Sequence, residues 1–514
     1  MGSLDEGGAR GECAGLYSLL DNITASIEQS FGPVLRSAEV MFDVGPKMEI
    51  DLVTSGVWVP IATALMADAG IKMAIFSPGI ASILQANYLA LDTFLSELAQ
   101  RLLKEPSEEP EENVGAAESL YFRPHISRER VQRAQDRIYL HSKTAEFSKR
   151  WNLPIYYQLR FGECCNRLNK AVDDTKQGGW ITEVFTGKDG EAEFLRNELG
   201  FELSFFLELY DILLRLWKPD VILRPLTNRF LRGAVQLVGR SVKFIQNGMD
   251  GQVMFGVEKK VDEDVNANVT TLPYPTRSPY CWGDSAQDVA AIAWELAILE
   301  TSIAHDYVST VCDAVGNADS TKAEREELRG LVSAVLREAS DQIQPVVDKA
   351  WNEVIVKILT EKCSGPLAAV KGVAATYRMT NRPPPTQASS FVVTILRPLK
   401  EFCEEFSNRT PDYIGVKWKS SIVSSVTERY GIAVEELITT VQRTEVTLQN
   451  RRTKRAASGG MSDGDKVKLQ LYLDIQAFSR HIEEVGIDVS SVDAMRKLRT
   501  LTEQAESLLT QNGS

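Results

Sequence analysis

Residues 460–464 read Gly-Met-Ser-Asp-Gly, the Gly-x-Ser-x-Gly spacing that lifts a serine nucleophile out of a tight turn, and a histidine follows at His481. Acyl transfer would need that histidine within hydrogen-bond reach of Ser462, and a β-strand leading into the turn. The sequence promises neither. The preceding residues, RRTKRAAS, hold no apolar run to form the strand. His481 falls on the helix that Ser462 itself would open, and nineteen residues of helix span roughly 28 Å. A cap explains more of the letters. Ser462 stands three before Asp465, and Asp463 and Asp465 place negative charge on the first turn, where the helix dipole favours it. Val467, Leu471, Ile475, Phe478, Ile482 and Val485 then recur at three and four, and Gly486 is a natural stop. The expectation is a structural cap at Ser462 and Asp465, with a serine hydrolase using Ser462 as a remote alternative.

Other chemistries find fewer residues. Gly187-Lys188 lacks the upstream glycine and the following Ser or Thr of a phosphate loop, and Asp463-x-Asp465 lacks the rest of a calcium loop. Four histidines and seven cysteines, with no Cys-x-x-Cys pair, give metal chemistry little to draw on. The cysteines are read as reduced, core-filling thiols. No catalytic residue, cofactor or metal is expected. A net charge of −13 disfavours nonspecific binding to nucleic acid or anionic lipid, and the run RRTKR at 451–455 is read as a solvated loop. The N-terminus lacks the build of a signal peptide and fits a myristoylation site poorly, because Glu6 stands where Ser or Thr is wanted. The most apolar window, 57–76, carries Pro60, Asp68 and Lys72, so it is expected to form a core helix pair with any membrane contact peripheral.

One block is rich in rings. RWNLPIYYQLRF, 150–161, packs Trp151, Tyr156, Tyr157 and Phe161 into twelve residues, with Asn152 as a cap and Pro154 in the first turn. A helix buried against its neighbours is the plainer reading. The other makes Trp151, Tyr156, Tyr157 and Phe161 candidate anchors for a partner protein.

The elements that would hold these residues are helical. Val289, Ile292, Leu296, Leu299, Ile303 and Tyr307 share one face after a capping-box-like start at Ser285 and Asp288. Leu328, Leu331, Val332, Val335 and Leu336 make a second stripe. Ile343, Val347, Trp351, Val354 and Ile358 make a third, with Pro345 as a kink. FELSFFLELYDILLRLW, 201–217, is apolar nearly all round, as a buried helix would be. QVMFGV, 252–257, is one short strand candidate. The expected class is all-α, an elongated series of helical bundles. Its segments are an N-terminal helical piece (1–44), a bundle segment (45–103), an acidic linker (104–118), a bundle (119–258), a Pro-rich connection (259–284), a bundle (285–447), a basic loop (448–461) and C-terminal helices (462–514).

Four blocks in order, VTSGVWVPIATAL (53–65), RWNLPIYYQLRF, NRPPPTQASSFVVTILRPLKEF (381–402) and SGGMSDGDKVKLQLYLDIQAF (458–478), resemble the subunit 2 family of the conserved oligomeric Golgi complex in a plant-like form. The resemblance covers residues 45–490. It implies a non-enzymatic scaffold of the multisubunit tethering-complex type, peripheral on the cytoplasmic face of Golgi membranes and in the cytosol. It implies partners in subunits 3, 4 and 1, with SNAREs, Rab GTPases and golgins, and a role in retrograde intra-Golgi transport. Family members carry a substantial N-terminal coiled-coil region, of which 21–42 is at most a remnant, so a shortened form is expected. An exocyst-like tether at another membrane is the alternative, with RKLR at 496–499 as its thin support.

Overall fold

The structure is a computed structural model that describes residues 14–42, 51–104, 126–178, 180, 198–249, 285–316, 321–378, 382–406, 408–451 and 461–502. Every regular element among them is helical, which makes the chain all-α. The strand candidate at 252–257, the Pro-rich connection, Gly187-Lys188, the acidic linker beyond Lys104 and most of the basic loop lie outside the described residues.

The chain forms two compact units, residues 1–166 with 215–233, and residues 167–214 with 234–514. The stretch 119–258, expected as one bundle, therefore contributes to both. The reason is local: long helices pass through the division points, and hydrophobic periodicity cannot mark where a continuous helix changes its neighbours.

The helices of the first unit begin with α1 (Ala14–Phe42), α2 (Val59–Ala67), α3 (Ala69–Phe76), α4 (Ala81–Leu103), α5 (Arg128–Leu140) and α6 (Ser142–Ser148). α7 (Leu153–Gly178), α8 (Ser204–Arg215) and α9 (Thr227–Met249) each supply residues to both units. α1 lies against α4, and α4 against α5. The apolar window 57–76 breaks at Asp68, which caps α3 by accepting from the Ile71 amide at 2.9 Å, and the helices on either side meet at 97°. Among the described residues no single helix is long and apolar enough to cross a membrane. Arg137 of α5 bridges Glu39 of α1 at 2.6 Å and Asp51 at 2.8 Å, joining two elements through one planar fork.

The second unit continues with α10 (Ala286–Ser302), α11 (Val308–Val315), α12 (Lys322–Lys349), α13 (Val356–Ser364), α14 (Gly372–Tyr377), α15 (Val392–Ile395), α16 (Arg397–Phe406), α17 (Lys417–Arg451), α18 (Asp463–Glu484) and α19 (Asp493–Thr500). Its centre is aromatic. Trp351 lies 5.2 Å from Trp418 and 6.0 Å from Phe402, and all three are buried. α8 is buried all round, as its composition requires, and its Glu208 and Asp211 are both paired to Arg167. α17 runs to Arg451, so the first residues of the expected basic loop are helical.

The three stripes fare differently. The first is buried at every position from Val289 to Tyr307. In the second only Val332 and Leu336 are buried, while Leu331 is 62% exposed. In the third the core takes Ile355 and Leu359, not Val354 and Ile358. The cause is a π-helical turn at Ala350–Ile355. A π turn holds an extra residue, so the buried register after Trp351 slips by one. α12 itself continues through Pro345 to Lys349.

Candidate interaction surface

Ser462 is the N-cap of α18. Its hydroxyl oxygen accepts from the Asp465 amide at 3.0 Å, and its proton faces two carboxylates, Asp465 at 2.8 Å and Glu445 at 3.2 Å. Carboxylates at that spot stabilise the first turn of the helix. His481 sits near the other end of α18, 3.3 Å from Glu484. The hydroxyl and the imidazole are thus separated by most of one helix, a geometry that supports no acyl transfer. Gly464 is the last glycine of the motif. A Cβ there would stand on the Glu445 carboxylate, the far end of a flexible side chain of α17, which would have to swing aside for any larger residue. Gly486 closes the helix with φ of 81°, and the Ile487 amide reaches back to the Ile482 carbonyl at 3.3 Å.

The aromatic block is mostly interior. Trp151 meets Phe76 at 4.8 Å and Tyr88 at 5.1 Å, both edge-on, and Tyr156 is buried with its hydroxyl donating to the Val221 carbonyl. Burial pushes the Tyr156 phenol up, with the Arg160 guanidinium opposing. Tyr157 and Phe161 are half-buried, stacked on each other at 5.3 Å, with Phe230 edge-on to Tyr157. Both close over Gly233 of α9. Trp151 and Tyr156 are taken up by packing within their own unit, while Tyr157 and Phe161 keep part of their surface exposed.

What the sequence reading missed is a strap. Residues 382–389 run without helix along α18, held by side chains spaced four apart on that helix. Lys466 Nζ donates to the Arg382 carbonyl at 2.8 Å, and Gln470 Nε2 donates to the Gln387 carbonyl at 2.9 Å. Asp474 accepts from the Ser389 amide at 2.6 Å, from its hydroxyl at 2.8 Å and from Gln470 at 2.9 Å. Tyr377 adds a hydroxyl donated to Gln470 Oε1 at 2.7 Å. Asp474 is buried, and burial raises its carboxyl, opposed by the Ser389 amide and the Gln470 and Ser389 side chains. The signal was present in Lys466, Gln470 and Asp474, polar residues at helical spacing beside an apolar stripe. Two of the blocks that carry the family resemblance, 381–402 and 458–478, therefore meet in space. Among the described residues there is no group of three or more potential metal ligands.

The family profile described as "COG complex component, COG2, C-terminal" matches residues 149–475, well over half of the chain, and takes in both the strap and Asp474. The conserved oligomeric Golgi complex subunit 2 of Arabidopsis thaliana is 25% identical over 363 residues, 68% of this chain and 43% of that protein. The human subunit 2 is 24% identical over 402 residues, 74% of this chain and 51% of that protein, and the Drosophila melanogaster subunit 2 is 23% identical over 380 residues, 72% and 48%. The chain thus spans about half the length of the curated relatives it matches. No solved structure matches it. With the profile running unbroken from the aromatic block to the far end of the strap, the chain belongs to the COG2 C-terminal family of COG complex components.

Proposed function

We propose that the chain is a non-enzymatic scaffold subunit of a vesicle-tethering complex acting in retrograde intra-Golgi transport and Golgi organisation. The observation that carries this reading is the family match over 149–475, supported by relatives each named as subunit 2 of the conserved oligomeric Golgi complex. An all-α chain whose one motif of catalytic appearance is a helix cap suits such a role. The work of the protein is then to hold surfaces at fixed places for other proteins. Its partners are other subunits of the complex, with subunits 3, 4 and 1 as the first candidates, and SNAREs, Rab GTPases and golgins beyond them. It acts peripherally, at the cytoplasmic face of Golgi membranes and in the cytosol.

Affinity purification of the tagged chain from cells tests this. Recovery of the other subunits of the Golgi complex is expected. Recovery of exocyst-type subunits from plasma-membrane fractions would overturn the Golgi assignment, and a well-folded, expressed chain that brings down neither set would overturn the scaffold role.

A further inference from the structure

Arg382, Pro383 and Pro384 each precede a proline. A residue in that position is pushed out of the α region, and the proline ring fixes φ near −65°. Residues 382–385 are therefore driven into polyproline II by their own covalent structure, and they are not helical. A polyproline II segment has no internal hydrogen bonds, so something else must hold it in place. The face of α18 does so at the two ends, through Lys466 to the Arg382 carbonyl and through Gln470 and Asp474 to Gln387 and Ser389. No hydrogen bond to the stretch between, Pro383 to Thr386, is formed among the described residues.

That leaves the prolines facing outward. Pro383 and Pro384 are exposed and Pro385 is half-buried. Arg382 is exposed too, and its guanidinium makes no ion pair among the described residues. A simple spacer between α14 and α15 would need neither two consecutive prolines turned to solvent nor a clamp at each end. A recognition segment needs both, because ordering it in advance removes most of the entropy lost on binding.

We propose that Arg382–Thr386 is a docking site for a partner protein domain with a polyproline-reading groove, lined by aromatic side chains and carrying a carboxylate that pairs with Arg382. The aromatic rings fit the proline rings, and the single cation beside them sets direction along the groove. One arginine in a chain of net charge −13 is too little for a membrane headgroup, which favours a protein as occupant. The site goes beyond the tethering role, and its occupancy is independent of which complex the chain joins.

The test uses the full purified chain over immobilised SH3, WW and EVH1 domains, three kinds of domain with such a groove, with dissociation constants read by interferometry. At least one domain is expected to bind. The Pro383→Ala/Pro384→Ala double variant should lose about tenfold or more, as should Arg382→Glu. Both leave the clamp residues in place, so unchanged helical melting checks that the fold is intact. A free peptide of residues 380–390 should bind several-fold more weakly than the chain, because it lacks the clamp. Two results would each overturn the proposal: no domain retaining the chain better than the double variant, or a peptide that binds more tightly than the folded chain.

Discussion

Asp474 accepts both the amide and the hydroxyl of Ser389, at 2.6 and 2.8 Å, and so ties a segment without helix to the middle of α18 from a position with no solvent exposure. Removing the carboxylate takes the acceptor from the half-buried Ser389 amide and hydroxyl and from one of the two N–H groups of Gln470 Nε2. Asp474→Ala should therefore lose about 2–3 kcal/mol in urea unfolding, against about 1 kcal/mol for Ser389→Ala, which removes only the hydroxyl. Equal losses from the two would mean that the carboxylate contributes nothing beyond that hydroxyl bond.

Glu295 gives the second unit a pH dependence. Its Oε1 accepts the amides of Glu202 and Leu203 at 2.6 and 2.7 Å, while Oε2 is buried without a partner among the described residues. Burial pushes the carboxyl up to about 8, against those two amides, with the Glu202 charge adding to the rise and Arg409 opposing it. The folded state thus keeps a proton that the unfolded state gives up near the ordinary value of 4.5. Stability is fullest below that value and falls as pH rises towards 8, with a slope of about 1 kcal/mol per pH unit from this group. Urea midpoints at pH 5, 6, 7 and 8 should show the decline, and Glu295→Gln should flatten it.

Gly464→Ala should change stability by less than about 1 kcal/mol: propensity favours alanine by about 1 kcal/mol, and the Glu445 carboxylate, the end of a flexible side chain, can swing aside. Gly464→Ala/Glu445→Ala, which removes the obstacle, should show the full gain in a thermal melt. Ser462→Ala should lose about 1 kcal/mol through the cap, and an active-site serine probe should fail to label Ser462.

The same contest recurs at Gly233, where a Cβ would stand 2.7 Å from Phe161 and 2.9 Å from the Tyr157 hydroxyl. Two stiff rings cannot retreat as a flexible chain can. Gly233→Ala is expected to destabilise by about 1–3 kcal/mol, with Phe161→Leu restoring part of it in the double variant. A stabilised single variant in chemical denaturation would show that the rings shift freely.

Tyr430 reverses the sign. Its hydroxyl is buried with no partner among the described residues, and its ring packs edge-on against Phe478 at 5.3 Å. Tyr430→Phe keeps the ring and removes an unpaired polar atom, so stability should rise by about 1 kcal/mol. A loss of stability on calorimetry would reveal an acceptor for that hydroxyl.

Helical periodicity made the class legible, and the caps at Ser285 and Ser462 and the stop at Gly486 were readable because each is a local hydrogen-bond pattern. The strap was not. Extended chain has no period to detect, and its partners Lys466, Gln470 and Asp474 look like polar surface until residues from 382–389 cover them. The rings of 150–161 announced burial, yet composition alone could not separate a partner's surface from a neighbouring helix. Phe76 and Tyr88 pack against Trp151, and Gly233 lies under Tyr157 and Phe161, neighbours that no local pattern in the block could name.

The π turn at Ala350–Ile355 has an angular consequence. One residue of an α-helix corresponds to about 100° of rotation, so a single extra residue re-aims everything downstream by roughly that angle. Leu359 and Cys363 face the interior on α13 because of that offset, and without it Ile358 would point there. A deletion of one residue between 350 and 355 would therefore return the turn to plain α-helix and leave Leu359 and Cys363 facing inward, whereas a deletion just beyond it, in the first turn of α13, would swing the rest of that helix by about 100°.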